Sequence, residues 1–388
     1  MKFTYSNPTK IYFGDQLDSI GEIVKQYGDK ALLMYGGGSV KTNGVYDKIM
    51  NSLKAADLEV AEFCGVEPNP QYSTINRATD VCKANDSNVI VALGGGSVID
   101  AAKVVTKAKF YDGDCWDIVC QSVDVDQGLP LIAVPTIASA GSENDAWAVI
   151  SNKDTNQKLD PWGASFQPVA AFIDPSVTYS VSKYQTAVGA ADILSHVIDI
   201  RYFIKSHKIK CVDEWMEAMC RNVIKYAPIA IEDPTNEEAR ENLSWISAYI
   251  TGGIVDQGGN TDMPLHLTEY GIAAFYEIPH GHGIAILMPR WMQYILNEET
   301  APAFYRFGVA CFGLPDNMDT MEGAQKTIDA VSDWLYIKLG LESHLANIGV
   351  DEAMLPQMAA KAVRGMEVVH SLTDLTVKDI ENIFRMCM

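Results

Sequence analysis

The chain has 388 residues, 48% of them hydrophobic, enough to build the cores of two domains. Fifty acidic residues against 30 basic ones give a formal charge of −20, which argues against a general nucleic-acid or anionic-membrane surface and leaves any anionic ligand to be met by local donors. No apolar run of about 18 residues occurs, MKFTYSNPTKIYFGD at the N-terminus has no apolar signal core, and the eight cysteines show neither CxxC nor zinc-finger spacing. The expectation is a cytoplasmic protein with reduced thiols that binds neither nucleic acid nor membrane.

In the first half, short β-branched or apolar runs alternate with helical patterns, the signature of parallel βαβ construction. KALLMYGGGSV, from Lys30, reads as a strand ending in a glycine turn. Gly37, Gly38, Ser39 and Lys41 offer donors there, with no acid to accept hydrogen bonds from a ribose 2′-hydroxyl; this suits a 2′-phosphate, and so NADP(H) over NAD(H). SNVIVALGGGSVIDAAKVV places Gly94, Gly95, Gly96 and Ser97 between a strand and a helix, where glycines let backbone N–H groups approach a pyrophosphate at a helix N-terminus. It is neither a Rossmann GxGxxG nor a Walker loop, so the segment alone is equally a plain βα turn. PLIAVPTIASAGSE forms a third small-residue turn with hydroxyls able to bond a cofactor.

The alternation ends in AFIDPSVTYSVSKYQ, around Asp174-Pro175. From about Lys183, YQTAVGAADILSHVIDIRYFI, EWMEAMCRNVIKYAPIAIE and NEEARENLSWISAYITGGIV carry apolar residues at helical spacing. The expected organisation is a Rossmann-like, parallel-sheet dinucleotide-binding α/β domain over residues 1–182 and an all-helical metal-binding domain over 183–388. Asp192 and His196 are four apart, so a helix projects both from one face. With His266 in MPLHLTEYG and His280 in EIPHGHG they form a donor set suited to Fe²⁺, Zn²⁺ or Co²⁺ and poor for Ca²⁺. Taken alone, the Asp-xxx-His pair is also compatible with a hydrogen bond on a helix surface.

With these segments in this order, the chain resembles the iron-dependent (group III) alcohol dehydrogenases, in the branch of NADPH-dependent butanol dehydrogenases and aldehyde reductases. The resemblance rests on YGGGSVKxxGVYD at 35–47, GVEPNP at 65–70, GGGSVIDAAK at 94–103, GSEN at 141–144, the Asp192–His196 pair and Pro279–Gly281. It implies that Asp192, His196, His266 and His280 hold the metal, Fe²⁺ with Zn²⁺ as the alternative, and act in catalysis through it. It implies that Gly37, Gly38, Ser39, Asn69, Gly95, Gly96, Ser97, Asp100, Thr136, Ser139 and Lys158 line the cofactor site, and that the protein is a homodimer. The implied reaction is hydride transfer between NADP(H) and a short-chain primary alcohol or aldehyde of the butanol/butanal type, the metal polarising the substrate oxygen. A zinc-dependent glycerol or polyol dehydrogenase using NAD and a non-catalytic metal- or nucleotide-binding protein are the competing readings. Tyr270 stands where many members carry a further histidine. In an extended segment His282 would face away from His280, and His207, His344 and His370 match no motif.

Overall fold

The computed structural model describes residues 2, 4–205, 209–252 and 263–388, so His207 lies outside the described residues. The chain divides into two compact units, one of Ser6–Val181 and one of Ser182–Met388 with Met1–Tyr5.

In the first unit, strands β1 (Lys10–Phe13), β2 (Lys30–Tyr35), β3 (Glu59–Cys64), β4 (Val89–Gly94), β5 (Leu131–Pro135) and β8 (Ala170–Ile173) form a six-stranded sheet in the order β1-β8-β5-β4-β2-β3. All its pairings are parallel. The short strands β6 (Ile150–Asn152) and β7 (Gln157–Leu159) make an antiparallel hairpin. Helices α1 (Ile20–Lys25), α2 (Ser39–Thr42), α3 (Val45–Ala55), α4 (Tyr72–Ala84), α5 (Gly96–Ala108) and α6 (Cys115–Val119) connect the strands. The inner strands β4 and β5 are buried along their whole length, as continuous apolar runs require when helices cover both faces, whereas the edge strands β1 and β3 are partly exposed.

Strand order fixes where the turns fall. From β2 the chain crosses to β3 on one side and then to β4 on the other, so the order reverses between β2 and β4. Crevices at such a reversal, outside the carboxyl ends of the strands, are where open parallel sheets bind ligands. Tyr35 pairs with Leu93 and Gly94 with Pro135, so the turns after β2, β4 and β5 emerge side by side at one edge of the sheet.

The second unit contains helices α7 (Lys183–Val197), α8 (Lys210–Glu232), α9 (Glu237–Ile250), α10 (Pro264–Ala273), α11 (His280–Ile295), α12 (Ala301–Phe312), α13 (Thr320–Asp333), α14 (Leu355–Ala362) and α15 (Val377–Met386), and no named strand among the described residues. Ser182 caps α7 by accepting from the Gln185 N–H at 3.2 Å. Every residue from Thr186 to Val197 is buried, which is why this helix reads as small and apolar all round and why its few polar groups must find partners inside. It continues into a π turn, Ile198–Tyr202. Behind the turn, Phe203 is fully buried with its ring 4.7 Å from Phe304 and 5.5 Å from Phe307. Phe203→Ala should lower stability by about 3–5 kcal/mol through lost transfer energy and the cavity left behind, read as a lowered denaturant midpoint.

Candidate metal centre and glycine turns

Four helical positions supply the predicted ligands: Asp192 and His196 on α7, His266 on α10, and His280 as the first residue of α11. One potential ligand atom from each of Asp192, His196 and His266 lies within 4.8 Å of the others, all three residues being buried. His280 joins them, its Nε2 being 3.8 Å from Asp192 Oδ1. The His266 ring centroid is 4.7 Å from that of His196 and 5.2 Å from that of His280.

Two glycines make this approach possible. A Cβ on Gly281 would stand 2.2 Å from the Val188 carbonyl oxygen and 3.1 Å from Asp192 Cβ, so only glycine lets α11 begin against α7. A Cβ on Gly283 would meet Glu269 Cγ at 3.0 Å, so this glycine makes room for the acid on α10. The PHGHG segment therefore opens a helix and is not extended. The correction leaves His282 turned elsewhere, since residues two apart lie on different sides of a helix. Its Nδ1 is 2.8 Å from the Tyr184 hydroxyl and its Nε2 3.1 Å from the Glu342 carbonyl oxygen. His344 and His370 are exposed.

Each of the three imidazoles has Nδ1 committed. His196 Nδ1 lies 2.8 Å from the Asp192 carbonyl oxygen, His266 Nδ1 2.7 Å from Asp199 Oδ2, and His280 Nδ1 2.5 Å from Glu269 Oε2. Those partners are acceptors, so Nδ1 carries a hydrogen, and in the neutral ring Nε2 is the nitrogen that offers the lone pair. His266 Nε2 is buried with no hydrogen-bond partner among the described residues. Burial, and then the neighbouring imidazoles, holds the His266 pKa well below the ordinary histidine value, so the ring is neutral. A neutral lone pair buried beside a carboxylate and two further imidazoles fits a divalent cation of borderline softness and could hold one.

Two residues behind the cluster carried no motif. Asp199, in the π turn, accepts through Oδ1 from the Leu265 N–H and through Oδ2 from the His266 N–H, both at 2.9 Å, besides bonding the His266 ring. Burial raises its carboxyl to about 7 against the opposing pull of those backbone donors. Glu269 is buried on α10. Their sequence signals are spacing alone: Asp199 is seven residues after Asp192, on the same helix face, and Glu269 three after His266. Tyr270 is buried, with its ring 6.0 Å from that of His280 and the Arg364 guanidinium carbon 5.0 Å from its centroid.

In the other unit, the predicted cofactor residues gather at the carboxyl edge of the sheet. Gly37 and Gly38 follow β2, and a Cβ on either would meet nothing within 4 Å. Ser39 opens the short α2, and Lys41 stands over the rings of Tyr35 and Tyr46 at 5.1 and 4.6 Å. Gly95 caps α5, which begins with Gly96 and Ser97, so backbone donors gather at the start of a 13-residue helix. The Thr136 N–H donates to the Gly94 carbonyl at 3.1 Å, tying the third turn, which contains Ser139, to the second. Asn69 follows β3 in a left-handed conformation with φ 52°, which asparagine tolerates better than most residues.

Two of these residues are tied into the unit by contacts of their own. Asp100 is occupied structurally, accepting from the Ser142 hydroxyl at 2.5 Å and the Val149 N–H at 2.9 Å, so it positions the third turn. Lys158 is buried in the β6–β7 hairpin, paired in register with Ser151, and is not a solvated side chain. The sequence reading passed over Lys103 on α5, which is fully buried and donates at 2.6 Å both to Asp145 Oδ1 and to the Trp147 carbonyl. Glu143 is buried nearby, and desolvation raises its carboxyl to about 7.

Known proteins place this combination. The model of the iron-containing alcohol dehydrogenases matches residues 8–175, and that of the C-terminal part of the Fe-containing alcohol dehydrogenase family matches residues 186–388. The chain belongs to the iron-containing alcohol dehydrogenase family. Among family relatives, NADH-dependent butanol dehydrogenase B of Clostridium acetobutylicum is 42% identical over 363 residues, covering 93% of each chain. The NADPH-dependent aldehyde reductase YqhD of Escherichia coli is 30% identical over 390 residues, covering 98% of each. The crystal structure of NADH-dependent butanol dehydrogenase A from Thermotoga maritima superposes with a TM-score of 0.94 at 33% identity, over 100% of this chain and 98% of that one. The fold is thus that of a family of NAD(P)-dependent oxidoreductases, a Rossmann-like parallel-sheet part followed by a helical part. Relatives named for NADH and for NADPH both occur in it.

The buried Glu143 gives a pH prediction. Its folded pKa of about 7 lies above the ordinary 4.5, so the folded protein binds this proton more tightly than the unfolded chain. The associated stability is present below pH 4.5, is lost as pH rises towards 7, and changes no further above that. Glu143→Gln should therefore be more stable than wild type at pH 8, by on the order of 3 kcal/mol, with the difference closing towards pH 4.5; denaturant midpoints across pH measure it.

Proposed function

We propose that the chain is a metal-dependent alcohol dehydrogenase and aldehyde reductase that transfers hydride between NADP(H) and a short-chain primary alcohol or aldehyde of the butanol/butanal type. The observation that carries this reading is the buried, unpartnered Nε2 of His266 beside Asp192, His196 and His280, with the Nδ1 of every imidazole in the cluster already committed. Asp192, His196, His266 and His280 are the proposed ligands, and Fe²⁺ is the proposed ion, supported by the family description, with Zn²⁺ accepted by the same donor set. A dication held there supplies Lewis-acid polarisation of a hydroxyl or carbonyl oxygen, and the nicotinamide supplies or accepts the hydride.

The chain's own residues have separable tasks. Three imidazoles and one carboxylate would fix the ion, each ring offering its Nε2 because Nδ1 is engaged elsewhere. Tyr270, beside His280, is placed to offer a hydroxyl where many relatives offer an imidazole. Relatives named butanol dehydrogenases support a short alkyl chain over a polyol. The donors at Gly37, Gly38, Ser39 and Lys41 support a 2′-phosphate, and the backbone N–H groups at Gly95, Gly96 and Ser97 support the pyrophosphate. The relatives named NADH-dependent favour a second reading of the cofactor, which the mutation below tests. A homodimer is proposed through the edge strand β1, which among the described residues pairs with β8 alone. A cytoplasmic location is supported by eight free cysteines.

NADPH oxidation driven by butanal, with metal content determined on anaerobically purified protein, tests the reading. Asp192→Ala should lose the bound ion and about three orders of magnitude in kcat, the several kcal/mol of a Lewis acid, while retaining a cooperative melt. Full metal occupancy in that variant would overturn the ligand assignment. Ser39→Asp should shift the kcat/KM ratio from NADPH towards NADH by roughly tenfold to a hundredfold, the scale of one charge-assisted hydrogen bond.

A further inference from the structure

We propose that Asp199 and Glu269 are positioning residues of the metal centre, two buried carboxylates that set the tautomer and aim of His266 and His280 and so raise the affinity for the ion. The inference rests on the ligand assignment proposed above and extends it to residues that bond the ligands from behind. Both side chains are fully buried. An ionised carboxylate so placed is expensive unless its oxygens are engaged.

For Asp199 the bonds divide into two tasks. Met263, at the N-cap position of α10, makes no side-chain cap hydrogen bond. Asp199 supplies that cap from another element, accepting from the Leu265 and His266 backbone N–H groups. Capping alone would be complete with those two bonds. The third, from His266 Nδ1 at 2.7 Å, adds nothing to the helix end and fixes the ring. Both carboxylate oxygens accept backbone hydrogens, so with Asp199 ionised the ring nitrogen facing Oδ2 donates and Nε2 points its lone pair into the cluster.

Glu269 has no capping task, because it lies within α10 and well past its first turn. Its Oε2 meets His280 Nδ1 at 2.5 Å, and the missing Cβ of Gly283 leaves the space its stem occupies. The arrangement is staggered: the acid that follows α7 holds the histidine of α10, and the acid of α10 holds the histidine of α11. Each ligand helix is thereby indexed to the one before it, as well as to the ion. The charge changes too. A dication with Asp192 alone leaves the centre one unit positive, whereas including the two carboxylates behind the imidazoles leaves the buried assembly one unit negative. Such partners raise imidazole basicity and tighten the hold on the ion.

The test is a competition titration of apoprotein with Zn²⁺ against a chromophoric chelator, comparing wild type with Asp199→Asn, Glu269→Gln and Glu269→Ala, with thermal melts of each apoprotein alongside. Loss of either carboxylate should weaken Zn²⁺ binding about tenfold to a hundredfold. Glu269→Gln, which can still accept from Nδ1, should fall nearer tenfold, and Glu269→Ala nearer a hundredfold. In Co²⁺-loaded protein the visible ligand-field bands should move in the same variants, a signature that a purely structural role would not alter. If Asp199→Asn loses its cooperative melt because α10 is no longer capped, the Glu269 pair carries the test. Wild-type uptake of one ion, abolished by Asp192→Ala but unchanged in affinity and spectrum in the folded Glu269 variants, would overturn this inference alone. Failure of wild-type apoprotein to take up an ion would overturn the ligand assignment as well.

Discussion

The centre of the helical unit depends on placing imidazoles and carboxylates together inside an otherwise apolar core. Asp192, His196, Asp199, His266 and Glu269 are all buried, so each must satisfy hydrogen-bonding groups that have lost water. That requirement explains features that look unrelated in sequence. Helix α7 is small and apolar on every side because it is the buried member against which the others pack. Gly281 and Gly283 are glycine because α11 must approach α7 and α10 closely enough for His280 to reach both Asp192 and Glu269. The π turn after α7 carries Asp199 to the start of α10, where one carboxylate both ends a helix dipole and fixes an imidazole.

The parallel-sheet unit obeys a different constraint, the reversal of strand order between β2 and β4. Once the strands are parallel and the crossovers helical, the turns after β2, β4 and β5 must share one edge, whatever their sequences. Sequence then decides how closely a ligand can approach them, and at Gly37 and Gly38 a Cβ would meet nothing, so the backbone there is open. Beneath them, Asp100 anchors Ser142 and Val149 while Lys103 anchors Asp145 and Trp147. The third turn is thus tied to α5 by two buried polar links, which makes α5 the element that holds that turn in place.

Much of this was legible from spacing. The strand runs, the glycine turns and the Asp192–His196 pair are local patterns whose period states which residues share a face. The association of His266 and His280 with that pair was not local; it came from the resemblance to a family, since 70 residues separate His196 from His266. The carboxylates behind the ligands were missed because an acid seven residues along a helix, or three after a histidine, ordinarily means a solvated face. Burial against an imidazole Nδ1 distinguishes Asp199 and Glu269 from most acids of this chain, and that is a tertiary contact. Glycine and proline usually interrupt helices, yet Pro279 precedes the first turn of α11 and the glycines of PHGHG serve the packing. Lys103 and Lys158 were illegible for a similar reason: a lysine after an apolar run is normally at the surface, and tertiary partners alone keep these buried.

Charge brings the two units under one rule. The chain as a whole is strongly acidic, so its long-range field repels an anionic dinucleotide and does nothing to concentrate it. Buried cations give little relief, because Lys103 is neutralised by Asp145 at 2.6 Å. An anion at the glycine turns would have to be attracted by short-range donors: the N-terminal N–H groups of α5, the Ser39 hydroxyl and Lys41, itself resting on Tyr35 and Tyr46. The helical unit inverts the problem. There buried carboxylates are in excess, and a dication is the species whose entry relieves their repulsion while meeting the lone pair of His266. In both units a charged ligand would be met over hydrogen-bond or coordination distances, where global charge matters least.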